Sequence, residues 1–437
     1  MLLLDPASVW RAATAWHPAT RVAFRFFGTY FTLYVLTTQM LQGVLVLPVG
    51  EFPNLGELPP VRPVVSSVAT HVFRVSSPLV ITGSGSGDKT YDWVHAFTVL
   101  ALSVLITVVW SALDRQREHY ARLRQWMRLF ARFSLGSTMV AYGMIKAIPL
   151  QMPAPGLTRL LEPFGHFSPM GVLWYSIGAS RPYEIFAGCA ELAGGILLFI
   201  PQTAMLGALI CLADSIQIFT LNMTYDVPVK LFSFHLIVLS MFLLAPDARR
   251  LLNVLLLNRT AEPSTMIPLG RTIRARRIMF AAQVLFGVYL VAMNLNSALD
   301  SWTRYGGGAP KSPLYGIWNI ERMAIDGQTR SPLTTDYDRF RRVIFDRPTQ
   351  AAFQRMNDTF VLYGAKIDTS AKTVTLTRSN PTIPFRFSYE QPSPDVLVLK
   401  GSIDGHTMQM EARLFDRSNF LLVTRGFHWV QEYPFNR

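Results

Sequence analysis

Residues 93–112 read WVHAFTVLALSVLITVVWSA, with no Asp, Glu, Lys or Arg between Trp93 and Ala112. A run of this length and character matches the hydrocarbon thickness of a bilayer when coiled into an α-helix, and is too long and too uniformly apolar for a soluble surface helix. Working outward from it, six more segments have the same character, giving spans over about 25–48, 93–112, 133–150, 182–200, 203–223, 228–245 and 278–297. The whole composition agrees: half of the 437 residues are hydrophobic and only 16% are charged, too apolar for an ordinary soluble enzyme. The predicted fold class is an α-helical membrane bundle of about seven transmembrane helices, with the lipid bilayer as its solvent.

The net charge of +13 does not indicate nucleic acid, because the arginines stand beside the apolar segments, where they set orientation. Arg11, Arg21 and Arg25 flank the first span, a group from Arg115 to Arg132 follows the second, and another from Arg249 to Arg277 precedes the last. Placing the N-terminus in the cytoplasm puts all three groups inside. An odd number of spans then exports everything after about residue 298, to the periplasm if the cell is a Gram-negative bacterium. No cleavable signal peptide is expected. Cys189 and Cys211 lie in apolar segments without metal-ligand spacing, so no metal site is expected; either they are two small buried residues or a helical hairpin brings them together.

Three regions follow: 1–132 with two spans and a long outward loop, 133–298 with the central helices and a final span, and 299–437 as an exported all-β domain. In the outward loop, Gly83-Ser84-Gly85-Ser86-Gly87 lacks the strand-to-helix context of a phosphate loop and reads as a linker. Residues 169–178 are apolar but too short to cross, which suggests an interfacial or re-entrant helix. After Leu314, short β-branched and aromatic runs alternate with turns such as Asp326-Gly327 and Asp404-Gly405. Runs at 314–323, 340–346, 350–355, 359–367, 373–378, 385–389, 396–399, 408–413 and 420–424 predict eight or nine strands in a small closed or nearly closed antiparallel barrel, a sandwich being the alternative. Gly316-Ile317-Trp318 resembles the glycine–tryptophan signature of lipocalin-like barrels.

Ionisable residues inside spans are costly and mark function unless they pair or snorkel. Glu184 and Glu191 share one face of the fourth span. Asp214 lies in the fifth, beyond a tight turn at Pro201-Gln202. Glu191 and Asp214 stand about 11 and 12 residues from that turn, so a 1.5 Å rise places both roughly 16 to 18 Å from the cytoplasmic end. Two carboxylates at one depth form a candidate proton-handling pair, the alternative being a static hydrogen-bonded staple. Asp226 and Lys230 are an i,i+4 pair at the start of the sixth span, where Asp226 is placed to cap the helix and is also a candidate ligand-binding residue. Lys146, Lys230 and Glu184 lie near one depth and are candidates for a charged layer that binds a ligand. His235, deeper in the sixth span, is a further ligand candidate or a hydrogen-bonded core histidine. Asp92 and His95 are ambiguous in the same way.

The middle of the chain, about 133–250, resembles the DoxX-like membrane proteins, four-helix modules of bacterial cytoplasmic membranes. The resemblance is carried by Tyr142-Gly143-Met144-Ile145-Lys146, Ser168-Pro169-Met170-Gly171, Phe186-Ala187-Gly188-Cys189-Ala190-Glu191-Leu192, Leu206-Gly207-Ala208 and Tyr225-Asp226-Val227-Pro228-Val229-Lys230-Leu231. It implies an inner-membrane protein, with sulfur oxidation, quinone-linked electron transfer or redox stress as the associated settings, and quinone as the candidate cofactor. The extra spans and the β domain depart from the minimal module. Three functions follow as expectations: a membrane redox or proton-handling subunit with a periplasmic or redox protein partner, a small-molecule carrier or binding protein, and a scaffold that recruits a partner through its β domain.

Overall fold

All seven segments expected to be helical are helical in the computed structural model, which describes residues 15–264, 269–379 and 382–436. Arg11, counted above among the basic flanks, lies outside them. The chain divides into two units, one formed by residues up to 148 together with 182–300, the other by 149–181 together with 301 onward.

The first unit holds the long helices α1 (Pro18–Leu36), α4 (Thr90–Leu113), α5 (Ala121–Ala147), α7 (Arg181–Phe199), α8 (Ala204–Thr224), α9 (Lys230–Leu244) and α11 (Ile273–Arg304), with short α2 (Gln39–Val44), α3 (Val61–His71) and α10 (Ala248–Leu255) between them. Helices α4, α7, α8 and α11, and α9 continued through α10, are long and apolar enough to cross a membrane. In α4 only 22%, and in α11 only 17%, of the most apolar window is buried against protein. Such apolar faces left uncovered need lipid.

The remaining two long helices differ from the expectation for physical reasons. The first span was expected over 25–48, but α1 starts earlier and breaks at Thr37-Thr38, whose hydroxyls donate back to the carbonyls of Leu33 and Tyr34. Helix α5 is buried on most sides, so its cations have protein partners: Arg132 donates to the Leu198 carbonyl and to Gln283, and Arg128 to the Leu243 carbonyl.

One end of this unit collects the basic segments. Arg25 reaches Tyr120, Ser111 and the Asp114 carbonyl, Arg21 donates to the Arg117 carbonyl, and Arg128 pairs with Asp247 at 3.6 Å.

Small residues set the packing of the middle helices. A Cβ added at Gly143 would stand 2.8 Å from the Gly188 carbonyl, and one at Gly195 would stand 2.7 Å from that of Gly136, so α5 and α7 run antiparallel in backbone contact. On another face of α7, a Cβ at Gly207 would meet the Gly194 carbonyl at 2.9 Å, which brings α8 equally close. Both cysteines are free, Cys211 buried beside Gly194 and Cys189 exposed.

In the second unit, β1 (Gly316–Ile325) carries a two-residue extension, β2 (Gln328–Thr329). It is followed by β3 (Phe340–Phe345), β4 (Gln350–Arg355), β5 (Phe360–Asp368), β6 (Thr373–Ser379), β7 (Thr382–Ser393), β8 (Val396–Ile403) and β9 (His406–Leu414). Sequential antiparallel pairing from β3 to β9, with β1 joined to both β3 and β9, closes an eight-stranded barrel. Closure removes every free edge. Asp326-Gly327 and Asp404-Gly405 have positive φ at both residues, as a two-residue hairpin turn requires.

Trp318, Phe345, Phe353 and Phe387 lie in the barrel's buried core, with the Trp318 ring nitrogen donating to the Leu314 carbonyl. The expected ninth strand at 420–424 is instead a short helix, α12 (Leu421–Thr424). The chain turns away from the sheet at Asp416, whose side chain accepts the Ser418 amide. Ile317, Ile344 and Ala352, on the alternate side of their strands, are buried under Phe415, Phe420 and two residues from far upstream, Leu157 and Leu161. The Leu157 amide also donates to Asp346 Oδ2 at 3.0 Å. Residues 149–181, which include α6 (Pro169–Ala179) N-capped by Ser168, thus belong with the barrel.

Candidate functional site

Two groups of polar residues occupy the helical unit. The first is built on the glycine seams. Close approach of α5 and α7 lets Lys146, in the last turn of α5, reach Glu191 at mid-length of α7, where the Lys146 ammonium pairs with Glu191 Oε1. Both side chains are buried, at 8% and 4% exposure, so this pair forms without water to screen it. The contacts Gly207–Leu198 and Gly194–Cys211 fix the register of α7 against α8, and the same register sets Glu191 level with Asp214. Asp214 lies within Coulombic range of Lys146 and of Glu191. Glu191 Oε2 and Asp214 Oδ2 are buried without a hydrogen-bond partner among the described residues, and so is the hydroxyl of Ser215, a neighbour the sequence did not single out.

Sequence reasoning placed Lys146 in a layer with Lys230 and Glu184, above the deeper carboxylates. Instead Lys146 belongs with Glu191, because its long side chain points back along the helix axis from the end of α5. Glu184 is fully buried in the first turn of α7. Lys230 pairs with Asp226 at 2.9 Å and stands 3.8 Å from Asp88. Asp226 does not cap α9: it has positive φ and is 84% exposed at its side chain, while Asp88 takes the cap by accepting the amides of Lys230 and Leu231, both at 2.9 Å.

His235 uses both ring nitrogens. Nδ1 donates to the Leu231 carbonyl at 2.7 Å, and Nε2 accepts from the Tyr30 hydroxyl at 2.6 Å. Its ring stacks on Tyr34 with centroids 3.9 Å apart. These contacts hold His235 as a positioned core group behind Tyr34.

The second group surrounds a cavity of about 470 Å³ at the end of the unit where α1 stops and α4 and α9 start. Its walls come from Tyr34–Gln39, the loop at Asn54–Glu57, the run Ile81–Gly87, the first turns of α4 and α9, and Tyr142 of α5. The glycine–serine run is therefore a cavity wall rather than a free linker, tied down where the Gly87 amide donates to the Pro228 carbonyl. Lys89 pairs with Asp92 at 3.1 Å and donates to the Ser86 carbonyl. His95 Nε2 meets Thr37 Oγ1 at 2.9 Å, and the Tyr91 hydroxyl donates to the Gly56 carbonyl. Tyr142, one turn from Lys146 on α5, lines this cavity and lies within Coulombic range of Glu191, so it stands between the two groups. The sequence signal for Tyr142 was its spacing from Lys146; nothing local pointed to Tyr34 or Asp88.

Comparison with known proteins adds one relative. The chain is 35% identical over 83 residues to the uncharacterized protein YwoB of Bacillus subtilis (strain 168), a match that spans 19% of this chain and about half, 54%, of that protein. No family model and no solved structure matches the chain.

Proposed function

We propose that this chain is a DoxX-like protein of a bacterial cytoplasmic membrane in which Lys146, Glu191 and Asp214 hold and exchange one proton, as part of a quinone-linked redox system. The observation that carries this reading is the buried Lys146–Glu191 pair with Asp214 level beside it. One cation and two carboxylates sum to −1, and a single proton shared by the carboxylates brings the group to neutrality, the favoured state in a medium of low dielectric. That proton is exchanged between Glu191 and Asp214, which stand level across the seam of α7 and α8. The unpartnered oxygens Glu191 Oε2 and Asp214 Oδ2 are the atoms that would carry it.

In this reading all seven long helices cross the bilayer, α1 and α5 included, because both run between the same two ends as their neighbours. The clustering of Arg21, Arg25, Arg128 and Arg250 at one end supports a cytoplasmic N-terminus and a periplasmic barrel. Quinone enters through the family resemblance.

Two measurements test the reading. Potentiometric titration of the solubilised protein should show one proton fewer bound in a Glu191→Gln, Asp214→Asn double variant than in the unaltered protein. Binding of a water-soluble benzoquinone, followed by quenching of tryptophan fluorescence, should weaken in Glu191→Gln. An unchanged proton count removes the exchange role, and unchanged quenching removes the quinone.

A further inference from the structure

We propose that the cavity walled by the glycine–serine run is a binding site for a small organic cation, an ammonium group on a compact aromatic or alkyl body. This inference goes beyond the proton reading and stands without it. A volume of about 470 Å³ falls in the range of small-molecule sites.

Charge selects the class of ligand. The lining residues with a formal charge are Glu57, Lys89 and Asp92, which sum to −1. Lys89 is already matched by Asp92 and by the Ser86 carbonyl, so among the described residues no free cation lines the space, while Glu57 Oε1 accepts from the Asn54 side-chain amide at 3.0 Å. An anion would meet Glu57 with nothing to balance it.

Polar atoms that buried residues leave open to the cavity point the same way. His95 is 5% exposed, and its Nε2 faces Thr37 Oγ1. Thr37 spends its own hydroxyl proton on the Leu33 carbonyl, so Nε2 must be the donor and the neutral ring keeps its lone pair on Nδ1. No partner meets that nitrogen among the described residues. Tyr34 is 3% exposed and its hydroxyl likewise meets no partner among the described residues, although its ring is clamped on His235. The His95 lone pair, open to the cavity, is matched by a guest that brings N–H groups, and the Tyr34 hydroxyl oxygen can accept from the same guest. The rings of Tyr34, Tyr91, Tyr142 and Phe232 supply the aromatic surface on which ammonium groups settle.

The test uses the full-length protein in lipid nanodiscs and three isosteric probes, benzylammonium, benzyl alcohol and benzoate, titrated by calorimetry. Benzylammonium should bind at least about ten-fold more tightly than either of the others. Glu57→Gln should erase that preference while leaving benzyl alcohol affinity unchanged. His95→Phe, which removes the acceptor and keeps a ring, should weaken benzylammonium. Equal binding of the three probes, tighter binding of benzoate, or no binding of benzylammonium overturns the proposal. Since these comparisons on the unaltered protein need no variant to fold, they decide by themselves. Glu191→Gln should leave benzylammonium affinity within about two-fold, so the fate of the proton reading is scored separately.

Discussion

Lys146 and Glu191, 45 residues apart in the chain, meet across a helix seam whose backbones touch through glycine, and neither side chain is reached by solvent to any useful extent. A buried pair of this kind is strongly asymmetric under mutation. Lys146→Met strands two carboxylates and should cost about 3–5 kcal/mol of stability, whereas Lys146→Met combined with Glu191→Leu should recover most of it. Glu191→Leu alone should cost less than Lys146→Met, because Asp214 remains within range to take the ammonium. Unfolding of the purified protein by denaturing detergent, followed by helical circular dichroism, gives the ranking.

The seam itself is sensitive to a single methyl group. Gly143→Ala or Gly188→Ala places a Cβ against the opposite backbone at 2.3–2.8 Å, where no side-chain rotation can relieve it. Each should destabilise by roughly 1–3 kcal/mol through overpacking. Gly165→Ala, with nothing within 4 Å of the added carbon, is the control and should be silent in the same assay.

The barrel carries a titratable clasp at one hairpin. Asp326 accepts from His406 Nδ1 at 2.7 Å and from the Thr407 amide at 2.8 Å. The His406 hydrogen bond, then those of Thr407, hold the Asp326 carboxyl below the usual carboxylate range, and the same bond to Asp326 raises the His406 imidazole above its ordinary value. The depressed carboxyl stabilises above its unfolded value and loses this as pH falls through its folded one. The raised imidazole stabilises below its unfolded value and loses this as pH rises through its folded one. The clasp is thus strongest between about pH 4 and 6.5. His406→Asn should flatten that maximum in the thermal unfolding of the barrel, and a wild-type profile in the variant would show that the clasp does not matter.

The attachment of 149–168 to the barrel depends on a few groups. Leu157→Asp inserts a charge beneath the cover over Ile317, Ile344 and Ala352. It should expose this segment to limited proteolysis at least about ten times faster than in the unaltered protein, while the eight strands stay intact. Equal protection would mean that Leu157 does not hold the cover down.

Most of the architecture was legible because it rests on periodicity and length. Apolar runs such as 93–112 have one stable fate in lipid, and two hairpins of the barrel turn on Asp-Gly pairs whose geometry those residues dictate. Relationships over long sequence separations were not legible. Asp226 is the local candidate to cap α9, yet Asp88 does so from 142 residues away, and a sequence pattern holds no trace of that choice. The ninth strand failed for a similar reason: residues 420–424 have strand-like composition, but β9 already pairs with β1, so no edge remains to receive them. For the charged residues, depth along a helix was readable from residue counting. Reach was not, and this moved Lys146 from the expected layer onto Glu191.

Because residues 149–181 fold with 301 onward, the chain passes between the two units three times, near 148, 181 and 300. Removing the C-terminal portion at residue 300 would therefore not release a tidy cassette. It would strip Leu157 and Leu161 of the wall they lie on, and it would deliver a barrel with a bald apolar strip where Ile317 and Ile344 had been roofed. The stretch joining α5 to α7 and the β portion are thus two halves of one surface, and neither can be redesigned without the other.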